Sequence, residues 1–432
     1  MSIIRLSLLR DGIYIPDERG NIEIPDQLGS PGTPAEINGE NGGDFGFRGI
    51  LTPARKRLGQ GRLDLFPRGT LPKPNGKFAE HIARSLAWKA ADLPPDAPVV
   101  VMVHGFQFDP AVNVVRPPHH HKADNPHARI YHFEEHPEDT EIRHHSTSWP
   151  RRLGFAESDQ GADGLCIAFG WYSNPGFFSS FFEHGKNFYA KAYEEAEVAA
   201  WQLTALLDVL AANMPGRQID IFCHSLGSRV VLRAFAQAVH PLPRLAPAPP
   251  VERVIRAVDR VLLLAGAEKV LEAQLALGLL NGWCRQDAGG DKSILPTFYN
   301  FMSRENDVLD VLAENFGPAA PGSKQVIGHN GLEGLDPAWV DIQLDDPEVG
   351  HWFARHPGNY TISGNNTQIF AVLDHWIHYT WRENMRVYRD ILRKREDWNI
   401  ADLKQEEDGR IFNRIRLMRD KSSGRANLTI RD

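Results

Sequence analysis

The chain has little of what would assign it to a disulfide-stabilised, membrane-spanning or nucleic-acid-binding class. It contains only three cysteines, Cys166, Cys223 and Cys284, and so sparse and odd a set is not a disulfide framework. No stretch approaches the ~20 apolar residues of a membrane helix, and the N-terminus lacks an apolar region long enough for a signal peptide. The net charge of −7 gives no general electrostatic attraction to nucleic acid. These absences predict a cytoplasmic protein with no integral membrane segment; export without a cleavable signal is compatible with them.

The most informative stretch, 219–231, reads IDIFCHSLGSRVV. A short apolar run meets Ser225 and passes straight into a helical pattern, which is typical of a strand–turn–helix nucleophile elbow. Such a turn strains the backbone at the serine, so the residues two before and two after it must be small. Here they are Cys223 and Gly227. The structural alternative is a strand–helix junction whose serine does no chemistry.

A second motif lies upstream. The run PVVVMV at 98–103 predicts a buried inner strand of a parallel sheet, and it ends in His104-Gly105-Phe106. A glycine here lets the backbone approach a reacting carbonyl. The backbone N–H of Phe106, together with that of Leu226 after the elbow serine, would form an oxyanion hole. We expect His104 to be a structural hydrogen-bonding residue of this loop.

A serine nucleophile needs a base, and the base needs an orienting acid. Around an elbow of this type the acid follows the serine along the chain and the histidine follows the acid. The strand-like run at 296–303 is followed by acidic residues, at the edge of the sheet where they can reach a histidine. Asp307 is the predicted acid, Glu305 and Asp310 are alternatives, and a helix-capping role is the structural alternative for Asp307.

The predicted base is His375, which lies late in the chain in the stretch LDHWIHYTW. It follows an apolar run and precedes a helical pattern. His378, three residues on, is the close alternative. His329, His351 and His356 are further candidates from the same region.

Taken together, these motifs resemble the serine α/β-hydrolases, in particular largely uncharacterised bacterial hydrolases with a similar elbow. The resemblance covers roughly residues 82–395. It rests on His104-Gly105-Phe106, a strand ending in Trp171-Tyr172-Ser173, a helix from about Asn187 to Asn213, the Ser225 elbow, the run from Tyr299 to Leu309, and Asp374-His375-Trp376. It implies an α/β-hydrolase fold, with a mostly parallel central sheet and helices on both faces. It also implies a triad of Ser225, Asp307 and His375.

The chain divides into a core and three additions. Residues 1–80 are rich in turn residues and predict an irregular or short-stranded extension packed on the core. The core spans 81–395 and carries an insertion at 107–161, whose length predicts a lid over the catalytic face. Residues 396–432 form a C-terminal tail.

The insertion is rich in histidine. A metal site is one interpretation, but the spacing is not diagnostic and cysteine is absent, so a polar, solvent-exposed lid is favoured. The histidines are His119, His120, His121, His127, His132, His136, His144 and His145.

The combined pattern predicts a serine hydrolase that cleaves carboxylic esters through an acyl-enzyme, without metal or organic cofactor. Four phenylalanines at 177–182 form either core or an apolar wall for an acyl group, which favours a small-molecule or lipid ester as substrate. Two alternatives remain: an amide, thioester or peptide hydrolase of the same fold, and a non-catalytic binding protein of this fold.

Overall fold

The computed structural model describes residues 3–9, 12–14, 93–110, 125–133, 148–156, 163–173, 187–239, 251–304, 325–332, 336–362, 377–406, 411–412, 415–417 and 429–430. Within these ranges eight strands form one sheet. They are β1 (Ile3–Leu9), β2 (Gly12–Tyr14), β3 (Val99–Val103), β4 (Leu165–Trp171), β5 (Ile219–His224), β6 (Val258–Leu264), β7 (Thr297–Met302) and β8 (Trp339–Gln343).

The sheet is parallel except at one edge, which confirms the predicted mostly parallel arrangement. Its order is β2-β1-β4-β3-β5-β6-β7-β8, and only β2 runs antiparallel to its neighbour. The chain goes from β3 to β4 on one side and then to β5 on the other side of β3. This reversal opens a crevice at the carboxyl ends of these strands, where open α/β sheets bind ligands.

Helices connect the strands. They are α1 (Pro126–Arg129), α2 (Trp149–Arg152), α3 (Asn187–Asn213), α4 (Gly227–Val239), α5 (Val251–Ala257), α6 (Val270–Asp287), α7 (Ile327–Asn330), α8 (Pro347–Arg355), α9 (Ile377–Thr380), α10 (Arg382–Arg393) and α11 (Ile400–Gln405). The bounds of α3 match the prediction. Helix α4 is buried along its whole length and packs against α3 and α6, so the element that follows the elbow is held on several sides. Two short strands, β9 (Arg416–Leu417) and β10 (Thr429–Ile430), pair apart from the main sheet.

The first residues of the chain differ from the extension predicted for residues 1–80. Strand β1 lies inside the central sheet, parallel to β4 and in register from Ile3 opposite Cys166 to Leu8 opposite Trp171. Its side chains Ile3, Ile4 and Leu6 are buried. The central sheet thus includes β1, which comes from the segment predicted as a short-stranded extension.

The insertion also differs from its prediction where the structure describes it. Trp149 of α2 is fully buried and packs edge-on against the rings of Phe222 and His224. The Tyr131 hydroxyl donates to the carbonyl of Met102 in β3 at 2.9 Å. For these residues the prediction of a solvent-exposed lid is wrong: an apolar surface covers the sheet beside the elbow.

Within the described part of the chain, no helix combines the length and the apolar character needed to cross a membrane.

Candidate active site

Ser225 lies at a tight turn between β5 and α4, as the sequence predicts. Its φ of +51° is in the left-handed region, which costs a non-glycine residue free energy and occurs mainly where the surroundings enforce it. The Ser225 N–H donates to the Leu264 carbonyl at 2.8 Å, and the Ser225 carbonyl accepts from the Ala267 N–H at 3.0 Å. The strand end and the loop beyond β6 thus hold this strained residue from both sides.

The positions two residues before and two residues after the serine hold small residues for different structural reasons. A Cβ on Gly227 would lie 2.6 Å from the Val103 carbonyl oxygen, so glycine is required there. At the other position, Cys223 is accommodated because its thiol points to the neighbouring strand, with Sγ 3.5 Å from the Leu262 carbonyl oxygen. Burial raises the pKa of the Cys223 thiol, which keeps it neutral beside the serine.

The loop after β3 packs directly on the elbow. A Cβ on Gly105 would lie 2.7 Å from the Cβ of Ser225 and 2.9 Å from the His224 carbonyl oxygen. This is the close backbone approach that the sequence predicts for a loop placing an oxyanion donor. Two residues further, Gln107 has a φ of +75°, so the chain turns sharply just after Phe106.

His104 has the structural role predicted for it. Its Nε2 accepts from the Trp171 N–H at 3.0 Å, which leaves Nδ1 as the protonated nitrogen that donates to the Gly105 carbonyl at 2.9 Å. The imidazole also stacks on the Trp171 ring. Burial lowers the pKa of His104 to about 3, so the ring stays neutral and braces the loop.

The two predicted oxyanion donors lie in segments that contact the serine or directly follow it. Leu226 follows it directly, and its carbonyl accepts from Arg229 and Val230 at the start of α4. In the part of the chain that the structure describes, no backbone carbonyl accepts the Leu226 N–H. Phe106 follows Gly105 and packs its ring edge-on against Tyr189 of α3 at 5.7 Å. An available N–H beside a strained serine is what an oxyanion hole requires.

Replacing Gly105 by alanine is expected to lower kcat by about 100-fold, since displacing reacting groups by 1 Å has an effect of that size. The added methyl group meets the Ser225 Cβ and a backbone oxygen, so the loop must move away. The matched control is Gly278→Ala, at an exposed site on α6 where the added Cβ meets nothing within 4 Å. Its kcat should not change. Initial rates of hydrolysis for both variants check this, and equal activity would mean that the loop takes no part.

Asp307 and its alternatives Glu305 and Asp310 lie outside the described residues. They follow β7 in the sequence, and β7 lies two strands from β5 in the sheet. The Arg304 N–H there donates to both carboxylate oxygens of Asp345, at 3.1 and 3.3 Å. Asp345 is fully buried, and no sequence motif marks it apart from its place just after β8.

His375 also lies outside the described residues, but α9 begins two residues later. The ring of Tyr379 in α9 packs edge-on against that of His224, with centroids 6.2 Å apart. His378 is buried, and neither ring nitrogen has a hydrogen-bond partner in the described structure. Burial lowers the pKa of His378 to about 3. Helix α9, which carries His378, thus packs next to the elbow.

The three other candidate histidines make other contacts or are exposed. His329 bonds through Nε2 to the Arg304 carbonyl oxygen at 2.9 Å. His356 stacks on Trp398, with ring centroids 4.7 Å apart. His351 is exposed on α8.

Of the histidines in the insertion, the structure describes His127 and His132, and both are buried. Across the described ranges, no group of three or more histidine, cysteine, aspartate or glutamate side chains is placed to hold a metal ion. The other six histidines of the insertion lie outside these ranges.

Asp220 is a perturbed carboxylate that does not belong to the site. Burial raises its pKa to about 7, although the neighbouring Arg395 opposes the shift. It lies near the amino end of β5, roughly 16 Å from Ser225 at the usual rise of a strand. A shifted pKa indicates function only where the geometry agrees.

Comparison with known protein families gives one result for this fold and site. Residues 87–309, just over half of the chain, match the family described as alpha/beta hydrolase of unknown function (DUF900). This range contains the loop after β3, the elbow serine and Asp307. No curated protein matches the chain significantly. The chain therefore belongs to this α/β-hydrolase family, and its parallel sheet with an elbow after β5 is an α/β-hydrolase fold.

Proposed function

We propose that the protein is a serine hydrolase that cleaves carboxylic esters through an acyl-enzyme on Ser225. One observation carries the proposal: Ser225 occupies a left-handed turn with the Gly105 loop pressed against it. Stored strain at a serine, with a glycine loop at van der Waals distance, has a ready explanation in nucleophilic catalysis.

In the first step, the Ser225 Oγ attacks the ester carbonyl carbon, and His375 accepts the proton that the hydroxyl loses. Asp307 orients the imidazole and stabilises its positive charge. The tetrahedral intermediate then collapses, the bond to the alcohol oxygen breaks, and His375 returns the proton to that oxygen. Water repeats the sequence on the acyl-enzyme, which releases the carboxylic acid and regenerates Ser225.

The N–H groups of Phe106 and Leu226 hold the negative oxygen of both tetrahedral intermediates. Removing one such donor typically lowers kcat by about 10²–10³-fold. The backbone supplies them without reorganisation, because the loop after β3 and the start of α4 are braced before substrate arrives. The hydrogen bond that His104 accepts from the Trp171 N–H braces the loop, and the burial of α4 holds its first residues in place. Both observations support this assignment.

The substrate class rests on chemistry rather than on a bound ligand. Four phenylalanines, Phe177, Phe178, Phe181 and Phe182, lie in the chain between β4 and α3, outside the described residues. We assign them to an apolar wall for the acyl group, which makes lipid esters the favoured subset. The mechanism needs no metal or organic cofactor, and we place the reaction in the cytoplasm.

A series of p-nitrophenyl esters of increasing acyl length, each with a matched anilide and thioester, tests the proposal. We expect hydrolysis of the esters, with kcat/KM rising over the first several methylenes because each added CH₂ buries apolar surface. The anilides should remain at the rate of buffer alone. Faster cleavage of anilides or thioesters would replace the ester assignment with that chemistry. No turnover, together with no labelling by a fluorophosphonate probe, would contradict catalysis.

A further inference from the structure

A cluster of charged side chains is buried behind the elbow, between α3, α4 and the loop after β6. We call it the Arg229 cluster, and it consists of Tyr193, Glu197, Arg229 and Glu268. The Arg229 guanidinium donates to both carboxylate oxygens of Glu268, at 2.9 and 3.0 Å. It also donates to Glu197 at 2.5 Å and to the Tyr193 carbonyl at 3.0 Å. The Tyr193 hydroxyl donates to Glu268 at 2.5 Å.

The cluster is deeply buried. Glu268 is fully buried and Arg229 is 5% exposed. Burial opposes the charge of Arg229, but the attraction of Glu268, Tyr193 and Glu197 outweighs it and raises the pKa of the guanidinium. Removing such charges from water often cancels the gain from pairing them, so a buried pair is weak support for stability alone. A role in holding geometry is the better-supported reading.

One side of the cluster is attached to the nucleophile. Arg229 lies one helical turn after Ser225 on α4. Glu268 follows Ala267, whose N–H donates to the Ser225 carbonyl at 3.0 Å. The Arg229–Glu268 pair therefore ties the two segments that hold the strained serine, and with it the N–H of Leu226.

The other side is attached to the loop after β3. Tyr193 lies one turn after Tyr189 on α3, with ring centroids 6.3 Å apart. Tyr189 contacts the ring of Phe106. The Arg229 guanidinium lies 3.4 Å above the Tyr193 ring, so a continuous series of contacts runs from Phe106 to Glu268.

We propose that Tyr193, Arg229 and Glu268 are positioning residues that set the separation of the two oxyanion donors, Phe106 and Leu226. This inference rests on the proposed function. None of the three touches the reacting atoms; they act through Tyr189 and the Ser225 backbone. The prediction is a defect in the chemical step rather than in substrate binding.

Glu268→Gln keeps the shape of the side chain and removes its charge. We expect kcat, and the rate of fluorophosphonate labelling, to fall by about 10- to 100-fold, as for a modest displacement of oxyanion donors. KM should stay within about twofold of the wild-type value, because the substitution leaves unchanged the contacts that the enzyme makes equally with the substrate and with the transition state. Tyr193→Phe keeps the ring under Arg229 and loses only the hydroxyl bond, so it should show a smaller fall in the same direction.

The control is Asp208→Asn on the same helix α3. Asp208 is 8% exposed and is paired with Arg253 of α5, and no contact in the described structure links it to the elbow. It should lower the thermal midpoint while kcat stays at the wild-type value. If Glu268→Gln does not fold, Tyr193→Phe carries the test.

Two outcomes separate this inference from the proposed function. A wild type that is labelled at Ser225, with Glu268→Gln and Tyr193→Phe labelled equally fast, overturns the positioning role alone. A wild type that the probe does not label removes the proposed function and the positioning role with it.

Discussion

Replacing Ser225 by alanine is expected to lower kcat for ester hydrolysis by at least about 10⁴-fold, the scale found when a serine nucleophile is removed. The alanine leaves Phe106 and Leu226 in place, so weak residual catalysis from the oxyanion hole is expected. Covalent labelling by a fluorophosphonate, which needs the Oγ, should disappear completely. Intact-mass measurement of the labelled protein and initial rates of hydrolysis give the two readouts.

The substitution should not unfold the protein. Alanine tolerates a left-handed φ no worse than serine does, and the hydrogen bonds that join the elbow to Leu264 and Ala267 are made by the Ser225 backbone. The matched control is Ser293→Ala, an exposed serine that precedes the amino end of β7, whereas Ser225 follows the carboxyl end of β5. Its labelling and turnover should equal those of the wild type. Continued labelling of Ser225→Ala would show that another residue is the nucleophile.

Replacing His375 by alanine is expected to lower the rate of labelling by about 10³-fold or more, because an unassisted serine hydroxyl is a weak nucleophile. His378→Ala should retain labelling, and its cost should appear in stability instead, as the loss of a buried ring packed against Tyr379. His351→Ala on α8 is the exposed control. Labelling rates of the three variants, normalised to the folded fraction, decide between the two candidate bases.

The pH profile gives an independent check on the base. A catalytic histidine must be neutral, so activity is lost as the pH falls through its pKa. Since burial lowers the pKa of His378 to about 3, a base at that position would leave kcat/KM constant down to very acidic pH. An acidic limb well above pH 3, together with the loss of labelling in His375→Ala, supports His375. Loss of labelling in His378→Ala alone would reassign the base.

Several features follow from the sequence because short, contiguous segments encode them. The elbow needs only an apolar strand, a serine between small residues and a helical pattern, all within 219–231. Strand β3 is a continuous apolar run, and α3 repeats its apolar positions at helical spacing from Asn187 to Asn213. In each case the signal is local periodicity or turn chemistry. The order of serine, acid and histidine along the chain then predicts the candidate triad without knowledge of any interatomic distance.

Other features depend on contacts between residues far apart in the chain, which no local pattern encodes. Strand β1 joins the sheet by pairing with β4, some 160 positions later. Trp149 packs against His224 at the elbow, and Asp345 holds the backbone at Arg304 only because β7 and β8 are adjacent. The sequence alone determined the strand–turn–helix elbow at Ser225, the loop after β3 and the fold class, since short segments encode them. The tertiary structure decided which residues brace these segments, because Arg229 and Glu268 meet only when α4 and the loop after β6 pack together. Burial then strengthens the electrostatic attraction between the two side chains.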